Sequence, residues 1–175
     1  MEITIYYISL FVGLVSGIFS TFVMTVFEIP FYRLWGIKGV YEFHESEMMI
    51  SKLLKRSFSG KLSRMGMMMH MLNGSMLAVP FVFYMTITNT IPSAFMGIAY
   101  AIVVWIVTLL PIHKTITGES LGKNPYGYKP IIVSIFGHFI YGFVLYFTYV
   151  SIMSVSYTHL RAHETEADLV CRLLL

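Results

Sequence analysis

Four continuously apolar stretches, at about 3–27, 65–86, 91–112 and 131–153, set the pattern of this 175-residue chain. A bilayer core of about 30 Å is crossed by about 20 helical residues, so each stretch is long enough to span. Lipid offers no partners to bare backbone groups, which makes helices the expected form. Barrel strands would be shorter and would alternate apolar with polar positions. The predicted fold class is therefore all-α: an integral membrane four-helix bundle over residues 1–154.

The first connection, 28–64, is patterned too. Met49, Ile50, Leu53, Leu54 and Phe58 recur at helical spacing, while Ser46, Lys52, Lys55 and Arg56 take much of the other side. This predicts an amphipathic helix lying in the inner membrane interface. The second connection, 113–130, is dense in turn residues. Its Gly118 and Gly122-Lys123 fail as a phosphate loop, because the spacing is short and Asn124 stands where Ser or Thr is needed.

Composition agrees with the spans: 57% of residues are hydrophobic and 12% charged, with mean hydropathy +0.72. Charge adds an orientation. Arg33, Lys38, Lys52, Lys55, Arg56, Lys61 and Arg64 lie in the first connection, and Lys114, Lys123 and Lys129 in the second. The segment before the first span and the turn 87–90 carry neither Lys nor Arg. The positive-inside rule places connections 28–64 and 113–130 in the cytoplasm and both termini outside a cell membrane. The positive charge thus follows topology, and nucleic-acid binding is not expected.

The tail, 155–175, reads differently. Its Ser-Tyr-Thr-His-Leu-Arg-Ala-His-Glu-Thr core resembles translated sequencing-adaptor sequence. On that reading the tail is non-native, and His159, His163 and the sole cysteine, Cys171, carry no function. One cysteine allows no intramolecular disulfide and no cysteine-based metal motif.

Small residues suggest how the spans pack. Ser9, Gly13, Gly17, Thr21 and Thr25 recur every fourth position and so share one helix face. Close backbone approach drives association in lipid. The ribbon fits a contact within the chain or a homo-oligomer face. Gly66, His70, Gly74 and Ala78 repeat the register, as do Ser134, His138, Gly142 and Tyr146. Each histidine should therefore face another helix.

Glu28, before Pro30, is expected at the inner end of the first span, and His113, after Pro111, at that of the third. With His70 and His138 slightly deeper, each span offers one ionisable group to the cytoplasmic half, a functional-site hypothesis by default. Asn73 and Tyr141, three residues beyond each histidine, are placed to orient them. Three readings stay open: a divalent-metal or proton site, a haem between His70 and His138, and structural hydrogen bonding between helices. A second cluster, Glu42, His44 and Glu45, fits a surface cation site or merely a carboxylate-rich helix start. No nucleophile–base set is recognisable, so catalysis is not expected.

Phe22-Val-Met-Thr-Val-Phe-Glu28, the run 35–45, His70-Met-Leu-Asn-Gly74 and Gly137-His-Phe-Ile-Tyr-Gly142 together resemble an uncharacterised family of small four-span membrane proteins of archaea and bacteria. The resemblance implies architecture and no activity. The functional expectation is a small transport or ion-handling protein using His70, His138, Glu28 and His113. The alternative is a non-catalytic scaffold or accessory subunit. The lipid bilayer is a partner expected in either case.

Overall fold

The computed structural model describes the backbone of residues 2–173 and the side chains of residues 6–154. The side chains of the adaptor-like tail lie outside the described residues. Five helices follow in order: α1 (Glu2–Trp35), α2 (Tyr41–Leu53), α3 (Arg64–Thr88), α4 (Ala94–Thr117) and α5 (Lys129–Leu173). All but α2 are long and apolar enough to cross a membrane.

Helix α1 runs well past the expected end at residue 27. Pro30 removes one backbone donor without ending the helix. The stop is Gly36, whose φ of 65° is the left-handed conformation that favours glycine. Glu28 therefore lies inside a continuous helix, not at its end. Likewise α4 passes through Pro111 and stops at Gly118, φ 75°. Serine caps open two helices: Ser63 accepts from Gly66 N at 3.0 Å, and Ser93 from Met96 N at 3.3 Å.

The four long helices form an open arc. Helix α1 packs on α3 along one side and on α5 along the other, and α4 packs on α5, whereas α3 and α4 barely touch. The small-residue ribbon makes the α1–α3 seam. A side chain on Gly17 would meet the Ser75 Cα at 2.7 Å and the Gly74 carbonyl at 2.8 Å, and one on Gly13 the Val79 Cα at 2.9 Å. Thr21 fills the space left by Gly74, and Ser9 donates to Thr86 Oγ1 at 3.2 Å. The ribbon is consumed within the chain, so these residues do not form an exposed face for a second copy. Gly97 and Gly142 bring α4 against α5 in the same way.

Helix α2 departs from expectation. It starts at Tyr41, ends before Leu54, and inserts between the feet of α3 and α4. Leu53 and Leu54, expected on its apolar face, are exposed, while Tyr41, Phe43, His44, Glu47 and Ile50 are buried. Its attachment to α3 is built on Glu47, only 1% exposed. Glu47 accepts from Arg56 Nη2 at 2.6 Å, from Ser63 N at 2.8 Å and from Ser63 Oγ at 2.7 Å. A buried carboxylate needs such partners.

The two long connections touch each other and so share one side of the bundle. Lys38 Nζ donates to Glu119 Oε1 at 2.6 Å, Asn124 Nδ2 donates to the Lys38 carbonyl at 2.8 Å, and Trp35 stacks on Tyr126.

Candidate functional site

Helices α1, α3 and α5 supply Glu28, His70 and His138, and α4 supplies His113. The sequence reading separated these from Glu42 and Glu45; the fold joins them. Glu42, Glu45, Ser46 and Met49 lie at i, i+3, i+4 and i+7 of α2, one face of the helix. That face points inward and closes one end of a cavity in the bundle. The cluster is thus three acid–imidazole pairs, each linking different helices.

Glu45 and His113 form the first pair, His113 Nδ1 donating to Glu45 Oε1 at 2.8 Å. Burial pushes the Glu45 carboxyl above its ordinary range, against the opposing effect of the His113 hydrogen bond. His113 also meets the edge of Tyr41 at 4.6 Å between ring centres.

Glu42 and His138 form the second, with Glu42 Oε1 at 3.6 Å from His138 Nδ1. That nitrogen donates to the Ser134 carbonyl at 3.0 Å. Trp105 Nε1 donates to Ser134 Oγ at 2.9 Å, and Ser134 Oγ in turn donates to Glu42 Oε1. One oxygen of Glu42 is thereby fixed, while Oε2 receives no N–H or hydroxyl donor.

Glu28 and His70 form the third and least satisfied pair. Thr25 Oγ1 gives its hydrogen to the Thr21 carbonyl at 2.7 Å. It therefore accepts from His70 Nε2 at 3.1 Å, which assigns the proton of a neutral His70 to that nitrogen. The same nitrogen is 3.8 Å from Glu28 Oε2, too far for a hydrogen bond. Glu28 is 0% exposed; no N–H or hydroxyl donates to either of its oxygens, and its carboxyl lies against that of Glu42, close enough for the two to share a proton. It lies over Gly137, where a Cβ would meet Oε1 at 3.0 Å. Among the described residues no lysine or arginine pairs with Glu28, Glu42 or Glu45.

Two expected roles change. Asn73 donates to Met49 Sδ at 3.6 Å, and the Tyr141 hydroxyl donates to the Gly74 carbonyl at 2.7 Å. Each ties its helix to a neighbour instead of orienting a histidine. The metal expectation gains no support: among the described residues, no three or more His, Cys, Asp or Glu side chains are grouped to hold an ion. Glu42 and Glu45 were singled out as a separate surface cluster, and their joining to the histidines was missed because polar residues in a connection read as facing water. Their i, i+3 spacing was the available signal.

His44, buried between Phe58 and His113, is held to about 4, mainly by burial, with Glu119 opposing and His113 and Lys38 adding to the shift. In the unfolded chain it takes a proton near 6.5. Its contribution to stability is complete above pH 6.5 and is lost as pH falls toward 4. Thermal melts at pH 7 and pH 5 should show a smaller acid loss for His44→Phe than for the wild type. An identical loss in both would remove His44 from the account.

Comparison with protein family models, curated proteins and solved structures finds no match to this chain, so function is argued from the site itself.

Proposed function

We propose that the chain is a small multi-pass transport protein of the cell membrane that moves protons through the acid–histidine cluster. Glu28 carries this reading: it is a wholly buried carboxyl inside a spanning helix that receives no N–H or hydroxyl donor and lies against a second carboxyl, that of Glu42. A bare carboxylate in such surroundings costs several kcal/mol or more. It is held there with a proton or a cation for company, and exchange of that proton is what such a residue does well. His70, His138 and His113, each beside a carboxylate, supply groups suited to relaying it. In the orientation proposed from the basic connections, the cluster lies toward the cytoplasm and both termini lie outside.

The test is reconstitution of the full chain in vesicles holding a pH-sensitive dye, followed by an imposed pH gradient. Wild-type protein should dissipate the gradient well above the rate of empty vesicles. Glu28→Gln should return the rate to that of empty vesicles, whereas Glu119→Gln, at the surface, should leave it unchanged. A wild-type rate equal to empty vesicles would overturn the proposal in favour of a scaffold or accessory subunit, as would full activity in Glu28→Gln.

A further inference from the structure

The gap between α3 and α4 has a consequence for what enters the cluster. It leads into a cavity of about 310 Å³, at the small end of the range of about 300–1,000 Å³ for ligand pockets. The gap is bounded at both ends. On the outer side the Tyr100 hydroxyl donates to the Leu77 carbonyl at 2.5 Å. On the inner side Lys52 Nζ donates to the Thr115 carbonyl at 3.3 Å, joining α2 to α4. Between these ties the two helices stand apart, and of the residues that line the cavity there, Met76 and Ile112 are also exposed on the outside of the bundle. The opening lies between two helices long and apolar enough to cross a membrane, and in the membrane reading it faces lipid.

The cavity changes character along its length. Leu77, Val104 and Leu109 form apolar walls, while Glu42, Glu45, His70 and His138 collect at the α2 end. Acceptors exceed donors there. No N–H or hydroxyl donates to Glu42 Oε2, and behind it the Glu28 carboxyl, also without such a donor, lies against both His70 and Glu42, so that the two carboxyls have at most a shared proton between them. No Lys or Arg lines the cavity. An anionic head would meet repulsion, and a neutral apolar ligand would leave the carboxylates bare. An ammonium head supplies both charge and donors. Its apolar body would occupy the walls and leave through the α3–α4 opening into the bilayer.

We propose that this cleft binds a lipophilic amine in its ammonium form, entering sideways from the bilayer and pairing with Glu42, with Glu28 behind it. The inference rests on the ion-handling reading and names its substrate class: the ammonium group replaces the proton as the partner of the buried carboxylates. Binding therefore releases protons.

Trp105, bonded to the Ser134 that holds Glu42, is a built-in reporter. The chain has two tryptophans, so Trp35→Phe leaves Trp105 alone. The full chain in lipid nanodiscs is titrated with octylammonium, octanol and octanoate while Trp105 emission and proton release are followed. Octylammonium should give a saturable change with proton release, and the other two should not. Glu42→Gln should weaken octylammonium at least tenfold. Met76→Phe, which narrows the opening, leaves the carboxylates intact and adds no tryptophan, should do the same and guards against a Glu42 variant that fails to fold. An equal response to octanol or octanoate, or unchanged affinity in both variants, overturns the proposal. Glu28-dependent proton flux without octylammonium binding would sink this inference alone. Glu42-dependent binding without any flux would sink the proton-transport reading and leave the site.

Discussion

Gly17→Val should unseat α1 from α3. The new side chain would begin 2.7 Å from the Ser75 Cα and the Ala78 Cβ, and 2.8 Å from the Gly74 carbonyl. Most of these atoms are backbone, which cannot step aside as a flexible side chain can. Overpacking of this kind costs about 1–3 kcal/mol where the surroundings adjust, and more where they do not. In lipid the contact has little hydrophobic drive to fall back on, since its strength lies in close approach. The seam also carries the Thr25–His70 hydrogen bond, so the site should loosen with it. The purified variant should melt at a markedly lower temperature and lose a single sharp peak on size exclusion. Gly122→Ala, with nothing within 4 Å of the added atom, should match wild type. Equal melting of wild type and Gly17→Val would mean that α1 and α3 are not held by this seam.

That seam was legible in the sequence because a four-residue repeat of small side chains has one physical use in lipid. The four spans were legible for a similar reason, since length and apolar content have few other meanings. Glu28, His70, His138 and His113 were also found, because an ionisable group in an apolar run stands out. What was hidden is where α2 packs and which of its faces turns inward. Hydrophobic patterning assigns polar residues to water, and the Glu42–Glu45–Ser46 face is polar. Only the fold shows that the water side of this helix is the inside of the bundle. The pairings are equally unreadable locally: Glu42 meets Ser134 and His138 on α5, and Glu45 meets His113 on α4. The expected end of the first span at Glu28 failed for a narrower reason. Proline bends a helix whose neighbours hold it, and a glycine with positive φ was needed to stop it.

Replacing either of two equally buried glutamates by methionine should change stability in opposite directions. Glu47 has donors for both oxygens, from Arg56 and Ser63. Glu47→Met strands those donors and detaches α2 from the start of α3, a loss on the order of 3 kcal/mol. Glu28 receives no N–H or hydroxyl donor and lies against another carboxyl, Glu42. Glu28→Met keeps the unbranched shape, fills the same space over Gly137, and removes an unsatisfied acceptor, a gain of about 1–3 kcal/mol. Thermal melts of the two variants beside wild type decide the matter. The residues share type and burial; they differ in partners and in the helix that carries them. A stabilised Glu28→Met that carries no protons would identify a group kept at the expense of stability, the pattern expected of a working residue. If Glu28→Met melts as low as Glu47→Met, Glu28 is a strut between helices, and the transport reading loses the observation on which it stands.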